Sequence, residues 1–450
     1  MCTPKNLFIG SFNSEKIWRD SESAQLPSFV DDQIKNIIAS MDEMQFVFCD
    51  HQDDLLVTKY PLDVAFKNYL NYLGFNFINN KYSPENNSNN SDIIDIQDDI
   101  LYSRNVKYFN KLISSDYNYC AYSILPSSNK FCTEFRLNTS LPDIHDVIKV
   151  NSKSYSSNLA KILFKNKSDY IINNTKMLEE AGNKLLRKSP FLIKDDYGVS
   201  GDSNILIKSE IVLQSIIRLF RKEEIKRKKI NLILQPLLDK MIDFSSHLKI
   251  TSDGDCILLS IQKMNNINFS FYSIQEADNE FIELLEKLDY FYAIESICKK
   301  LYKDGYFGYV CIDSMILKNG ELVPLVEINA RKSMGLINHF IDKFFQQFNK
   351  NGRLMFFSCG LNQNIEFKDI LDSMEKEGIL FNKQSLKGIF PLTSNTLLIN
   401  LKLYKKNCDI KNVKGRFYVS IVANNQCEYY QLINTMNNIF TKFSIKVYNN

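Results

Sequence analysis

The stretch Tyr309-Val-Cys-Ile-Asp313-Ser-Met-Ile-Leu-Lys-Asn319-Gly320-Glu-Leu-Val-Pro-Leu-Val-Glu327-Ile-Asn329-Ala-Arg331-Lys-Ser333-Met334-Gly335 carries two apolar runs separated by a turn. Tyr309 to Leu317 ends at Asn319-Gly320, a strong hairpin signal, and Leu322 to Ile328 returns antiparallel. Side chains alternate faces along a strand, so Glu327, Asn329 and Arg331 share one side. Two oxygen donors two residues apart, with Asp313 on the neighbouring strand, suit a hard cation such as Mg²⁺ that completes its shell with phosphate and water. Arg331 is placed to grip an anionic oxygen. The same spacing also fits a surface hairpin with an ordinary polar face.

The chain has 450 residues, 44% of them apolar, enough for two to three domains. A net charge of +3 points to neither nucleic acid nor a membrane as partner. The basic run from Arg218 to Lys229 contains Glu223 and Glu224 and apolar residues at helical spacing, and reads as the solvated face of a helix. Ten cysteines, at 2, 49, 120, 132, 256, 298, 311, 359, 408 and 427, show no Cys-x-x-Cys pair and read as reduced, buried thiols. The first residues lack the apolar core of a signal peptide, and no apolar run approaches the roughly 20 residues of a membrane span. A soluble, cytoplasmic protein is expected.

Strands are expected at Asn6 to Phe12 and Gln45 to Cys49, with a helix over Leu62 to Leu73 closing at Gly74. Alternation of this kind favours an α/β layer. Past a boundary near Val150 come helices, a short strand at Tyr170 to Ile172, and strands at Phe191 to Lys194, Ile205 to Lys208, Asn231 to Gln235, Phe244 to Ile250 and Cys256 to Ile261. Long helices follow at Asp278 to Asp304 and Ser333 to Asn349. The last hundred residues mix helices at Phe367 to Lys376 and Glu428 to Phe443 with strands at Thr396 to Leu403 and Gly415 to Val422. The reading is an α/β protein, α+β in part, divided at 1–150, 151–350 and 351–450. Within the middle unit a small lid covers about 185–240, and the metal and phosphate site 305–335.

Three further motifs precede the hairpin. Lys194 ends a strand before the loop Gly198-Val-Ser200-Gly201, where backbone N–H groups can approach phosphate oxygens, although a glycine-rich turn would look alike. Asn151-Ser152-Lys153-Ser154 opens a helix, where an anion is welcome and a simple cap is equally consistent. Gln235-Pro236-Leu237-Leu238 ends a buried strand at a proline, leaving backbone groups available to an adenine edge or merely marking a strand end. His247 and His339 are either substrate-facing or structural.

In this order, lysine at a helix start, lysine before a glycine loop, polar hinge, then Asp313 and Glu327-Ile-Asn329-Ala-Arg331, the chain resembles the ATP-grasp superfamily over about Val150 to Phe345. The resemblance implies an ATP-grasp fold in which Lys153 and Lys194 bind ATP phosphates under the Gly198 to Gly201 loop, Ser200 included. Gln235, Leu237 and Leu238 would hold adenine and Asp243 the ribose. Asp313, Glu327 and Asn329 would hold Mg²⁺, or Mn²⁺, and Arg331 with Lys194 would stabilise the transferred phosphoryl group. Asp195-Asp196 beside the phosphate loop, and Gln235 where glutamate is usual, depart from the pattern. Phe46-Val-Phe-Cys49-Asp50 through Gly74 looks like the pre-ATP-grasp domain of pheganomycin-type peptide ligases. The implied activity is ATP-dependent joining of a small carboxylate to an amine through an acyl-phosphate. Carboxylation of the biotin-carboxylase kind and a non-catalytic ATP-binding module are the alternatives.

Overall fold

Three sheets carry the chain, and the hairpin belongs to the largest. The computed structural model describes residues 5–27, 31–84, 95–166, 168–198, 204–267, 270–404 and 412–448; Ser200 and Gly201 lie outside them. The N-terminal strands β1 (Lys5–Ile9), β2 (Leu55–Leu56), β3 (Ile78–Asn79) and β4 (Tyr117–Ala121) run parallel in the order β3-β2-β1-β4. A parallel sheet needs both faces covered. Helices Ile96–Leu101, Val106–Leu112 and Ser128–Phe135 bury Leu7 and Ile9 under Ile100, Phe109 and Phe131.

The second sheet, antiparallel and in the order β5-β8-β6-β7, comprises β5 (Tyr170–Ile172), β6 (Phe191–Asp195), β7 (Asn204–Ile207) and β8 (Leu232–Pro236). Helices Thr175–Leu186 and Glu210–Ile225 pack on it. Leu213, Ile217 and Phe220 of the second helix turn into the core, and Arg221 pairs outside with Glu179 at 2.6 Å. The basic run is thus a solvated helix face. An N-terminal arm also reaches this sheet: Ala24 and Leu26 join its core, and the Ala24 amide donates to Lys229 O at 2.8 Å.

The third sheet is antiparallel throughout. It contains β9 (Lys240–Ile250), β10 (Cys256–Ile267), β11 (Ser270–Glu276), β12 (Gly308–Leu317), β13 (Leu322–Asn329), β14 (Arg353–Leu361), β15 (Gly388–Pro391), β16 (Val413–Val422) and β17 (Ile445–Val447). The order is β13-β12-β9-β10-β11-β14-β16-β15, with β17 on β14. The last hundred residues therefore extend the sheet that carries the hairpin. An aromatic cluster joins them to the first hundred: Phe46 stacks on Phe390 with centroids 6.2 Å apart, and Phe75 meets Phe390 edge-on at 6.0 Å.

Three expected elements differ. Gln45 to Cys49 is not a strand but the end of a 3-10 helix, Ser40–Phe48, whose residues are buried except for the partly buried Met41; burial on nearly every side leaves no periodicity to read. Thr396 to Leu403 is not a strand but part of helix Asn395–Tyr404. Its first amides are met by a distant side chain: Glu43 accepts from Ser394 N at 2.9 Å and Thr396 N at 3.1 Å. Asp278 to Asp304 is two helices, Asn279–Lys287 and Tyr290–Lys303, broken at Asp289, which takes φ 54°.

Candidate active site

Asp313 of β12 stands directly opposite Glu327 of β13, and Cys311 opposite Asn329. The Asn319-Gly320 turn reverses the chain, with Gly320 at φ 83°, and an irregularity between Asp313 and Met315 shifts the ladder into this register. On the other side of β12, Ser245 and His247 of β9 pair with Asp313 and Cys311, so one face collects Asn329, Glu327, Asp313, Ser245 and His247. Asn329 Nδ2 donates to Asp313 Oδ2 at 3.1 Å.

Helix Lys153–Phe164 lies along the β13 edge of the sheet, its Leu159 and Ala160 packed with Ile312 and Ile328 of the other face, and is tied to the strand by its backbone. Ile328 N donates to Ser156 Oγ at 3.1 Å, and Ala330 N to Asn151 Oδ1 at 2.8 Å. Those bonds bring Lys153 in: its Nζ donates to Glu327 Oε1 at 2.8 Å and to Gly198 O at 3.0 Å. Lys194, only 9% exposed, sits within the field of Glu327, Lys153, Asp169 and Asp313. Among the described residues its ammonium has no hydrogen bond and no ion pair. Burial lowers its pKa. A buried ammonium without a direct partner is costly unless an anion meets it.

The two carboxylates behave oppositely. Burial, then the charge of Glu327, pushes the Asp313 carboxyl up to about 7. Burial works against Glu327 as well, but Lys153 and Lys194 outweigh it and hold its carboxyl below the ordinary range. Facing acids, one of them straining to keep its proton, together with an amide oxygen form an all-oxygen donor set suited to Mg²⁺. Among the described residues no three His, Cys, Asp or Glu side chains converge on one point; the set is two carboxylates and an amide.

Protonation of Asp313 competes with a cation, which gives a pH prediction. Mg²⁺ affinity rises about tenfold per pH unit up to pH 7 and levels off above it, the proton being displaced on binding. For the metal-free fold, a raised carboxyl pKa contributes stability below about pH 4 that is lost as pH climbs through 7. Titrations of Mg²⁺ between about pH 5.5 and 8.5 check the affinity.

The remaining expected residues sit around this centre. Gln235 Nε2 donates to Asp169 Oδ2 at 3.3 Å, and Asp169 in turn accepts from Ser157 on the Lys153 helix at 3.0 Å. Leu237, 38% exposed, and Leu238 follow the end of β8. Asp243 accepts from Lys240 and, at 2.9 Å, from Asn266, and its charge reaches Asp313. The acidic pair beside the loop serves as a brace. Asp196 accepts from Ser154 N at 2.8 Å, and Asp195 accepts from Leu26 N at 3.1 Å and lies 3.4 Å from the Arg19 guanidinium.

Arg331 is held by residues distant in sequence. Its Nε and Nη2 both donate to Glu15 Oε1, at 2.8 and 2.5 Å. Nη2 also reaches Asn329 Oδ1 at 3.2 Å, and Nη1 donates to Lys332 O at 3.0 Å. Burial works against the charge, but Glu15 raises the pKa, so the guanidinium stays charged. Sequence reading missed Glu15, Arg19 and Asp169, and no local motif marks them.

His247 is structural. Its ring is wedged between Ser245 Oγ at 3.0 Å and Ser333 Oγ at 2.9 Å, and burial lowers its pKa to about 3, so it is neutral. His339 is likewise lowered, to about 4, by burial. A Cβ at Gly335 would lie 2.1 Å from His247 Nε2. Gly335→Ala is therefore expected to destabilise the fold by about 1–3 kcal/mol through overpacking, read by denaturant unfolding.

No protein-family model and no curated protein sequence matches the chain. Solved structures do. Biotin carboxylase from Campylobacter jejuni in its beta-gamma-ATP complex superposes with a TM-score of 0.52 at 10% identity, over 91% of this chain and 90% of that one. Carboxyaminoimidazole ribonucleotide synthase from Aspergillus clavatus complexed with ATP gives 0.50 at 8% identity, over 98% and 99%. The chain has the ATP-grasp fold. The biotin carboxylase domain of 2-oxoglutarate carboxylase from Hydrogenobacter thermophilus, with MgADP, ADP and bicarbonate, gives 0.50 at 10% identity, over 90% and 89%. Among the described residues, no helix is long and apolar enough to cross a membrane.

Proposed function

We propose that this ATP-grasp chain is an ATP-dependent carboxylate–amine ligase that forms an amide or peptide bond through an acyl-phosphate and releases ADP and phosphate. The observation that carries the nucleotide half of this reading is Lys194, a buried ammonium without a direct partner among the described residues, in the field of Lys153, Glu327 and Asp313. Two cations close to two carboxylates match a polyphosphate bound together with a divalent cation.

In this reading Lys153 and Lys194 hold phosphate oxygens, with Gly198, Ser200 and Gly201 as further nucleotide-binding residues. Gln235, Leu237 and Leu238 edge the adenine, and Asp243 meets the ribose. Asp313, Glu327 and Asn329 would hold Mg²⁺, or Mn²⁺, which supplies charge neutralisation between the phosphates. Arg331 keeps one Nη1 hydrogen uncommitted among the described residues and directs it at the transferred phosphoryl group. In phosphoryl transfer the protein's share is positioning and charge, so no side-chain nucleophile is needed. Residues 1–150 act as a pre-ATP-grasp domain of the kind found in pheganomycin-type peptide ligases, 151–350 as the ATP-grasp domain and 351–450 as a C-terminal extension. The substrates are small: an amino acid or peptide, or another carboxylate and amine.

ATP-dependent carboxylation is the second reading, favoured by the superposition on carboxylase structures at TM-scores of 0.50 and 0.52. ADP release from Mg²⁺-ATP, measured with pooled amino acids and small carboxylates and with or without bicarbonate, separates the two. Turnover that needs an amine and no bicarbonate supports ligation. Strict bicarbonate dependence establishes carboxylation instead, and tight ATP binding without turnover on any pool leaves a binding module.

A further inference from the structure

Cys256 and Cys298 touch each other. Their sulfur atoms lie 2.6 Å apart, 42 positions from one another in sequence. That is about half an ångström beyond a covalent S–S bond. Cys256 is the first residue of β10, paired with Ile250 of β9 across a tight turn. Cys298 lies on the buried side of helix Tyr290–Lys303.

The backbone around both is already pinned. Tyr302 of that helix donates from its hydroxyl to Ser252 O in the turn at 3.1 Å, and its ring lies against Gly254, where a Cβ would come within 2.7 Å. Tyr290, at the other end, shares hydrogen bonds of 2.9 Å with Ser246 on β9 and Ser314 on β12. The helix is therefore tied to the β9–β10 turn and to the neighbouring strands on both sides of the thiols, which holds the two sulfur atoms together. The two are unequal in access: Cys256 is partly exposed and Cys298 is 1% exposed.

We propose that Cys256 and Cys298 form a reversible disulfide that locks helix Tyr290–Lys303 to the β9–β10 turn. Cys256 is the entry point. Its thiolate attacks one sulfur of a small disulfide such as oxidised glutathione, forming a mixed disulfide and expelling one thiolate, which takes up a proton. Cys298 then loses its proton and attacks the Cys256 sulfur, expelling the second glutathione thiolate. The net change is two protein thiols plus one small disulfide to one protein disulfide plus two small thiols. This modification is independent of nucleotide.

The test incubates the full chain in glutathione buffers of increasing oxidised fraction, followed by acid quench, alkylation and peptide mass mapping. Expected is a Cys256–Cys298 linked peptide, two hydrogens lighter than the separate pair, rising with the oxidised fraction and abolished by dithiothreitol. In Cys298→Ser the linked peptide vanishes and Cys256 carries a glutathione adduct. Alkylation of both thiols in wild type at every ratio, or a stable glutathione adduct on wild-type Cys256 without the link, overturns the proposal. Absence of the adduct in Cys298→Ser overturns the entry at Cys256.

Discussion

Lys194→Met is expected to raise the melting temperature of the nucleotide-free protein while lowering its affinity for ATP by about 10- to 100-fold, the equivalent of losing one charge-assisted hydrogen bond of about 1.5–3 kcal/mol. The two signs come from one cause. The ammonium is 9% exposed and, among the described residues, lacks a direct partner, so the empty fold bears its desolvation. Replacing such a charge with an apolar side chain of similar length removes that cost. Thermal melts with and without Mg²⁺-ATP read both effects. A variant that is less stable and binds ATP normally would make Lys194 a structural residue.

Glu327→Gln is expected to reduce ADP release about a thousandfold, roughly 4 kcal/mol of transition-state stabilisation. The amide removes the charge that faces Asp313 in the ladder and that Lys153 pairs with at 2.8 Å. It also relieves the repulsion that helps hold the Asp313 carboxyl near 7, so the Asp313 pKa falls toward the ordinary range. Steady-state rates at saturating Mg²⁺-ATP, on whichever substrate pool wild type turns over, check the first effect. The Mg²⁺ titration against pH checks the second, its break moving below 7. Near-normal turnover would remove Glu327 from the metal set.

The hairpin was legible because everything that shapes it is local: alternating apolar residues, an Asn-Gly turn and polar groups on one face of β13. The helix start at Lys153 was legible for the same reason, Ser152 capping Tyr155 N at 3.1 Å. What escaped notice is set by contacts between distant segments. Glu15 meets Arg331 across 316 positions, and Glu43 turns an apolar stretch into a helix by capping it across 351. Ser40–Phe48 is buried on nearly every side and shows no face. The Asp195-Asp196 pair, anomalous beside a phosphate loop, has its partners in other segments: Arg19 and Leu26 for Asp195, Ser154 for Asp196. Pattern reads a periodic element with a solvent side well, and reads poorly an element whose conformation is fixed by a side chain from elsewhere.

The central claim is that one face of the large sheet, with Lys153 and Lys194 above it, binds ATP together with a divalent cation. Calorimetric titration of the purified chain with ATP, in Mg²⁺ and again with the metal chelated, tests it most directly. The account predicts one nucleotide per chain, saturable in Mg²⁺ and weakened at least tenfold by chelation, a change of about 1.4 kcal/mol or more. No heat of binding in Mg²⁺, or binding indifferent to the metal, would contradict it.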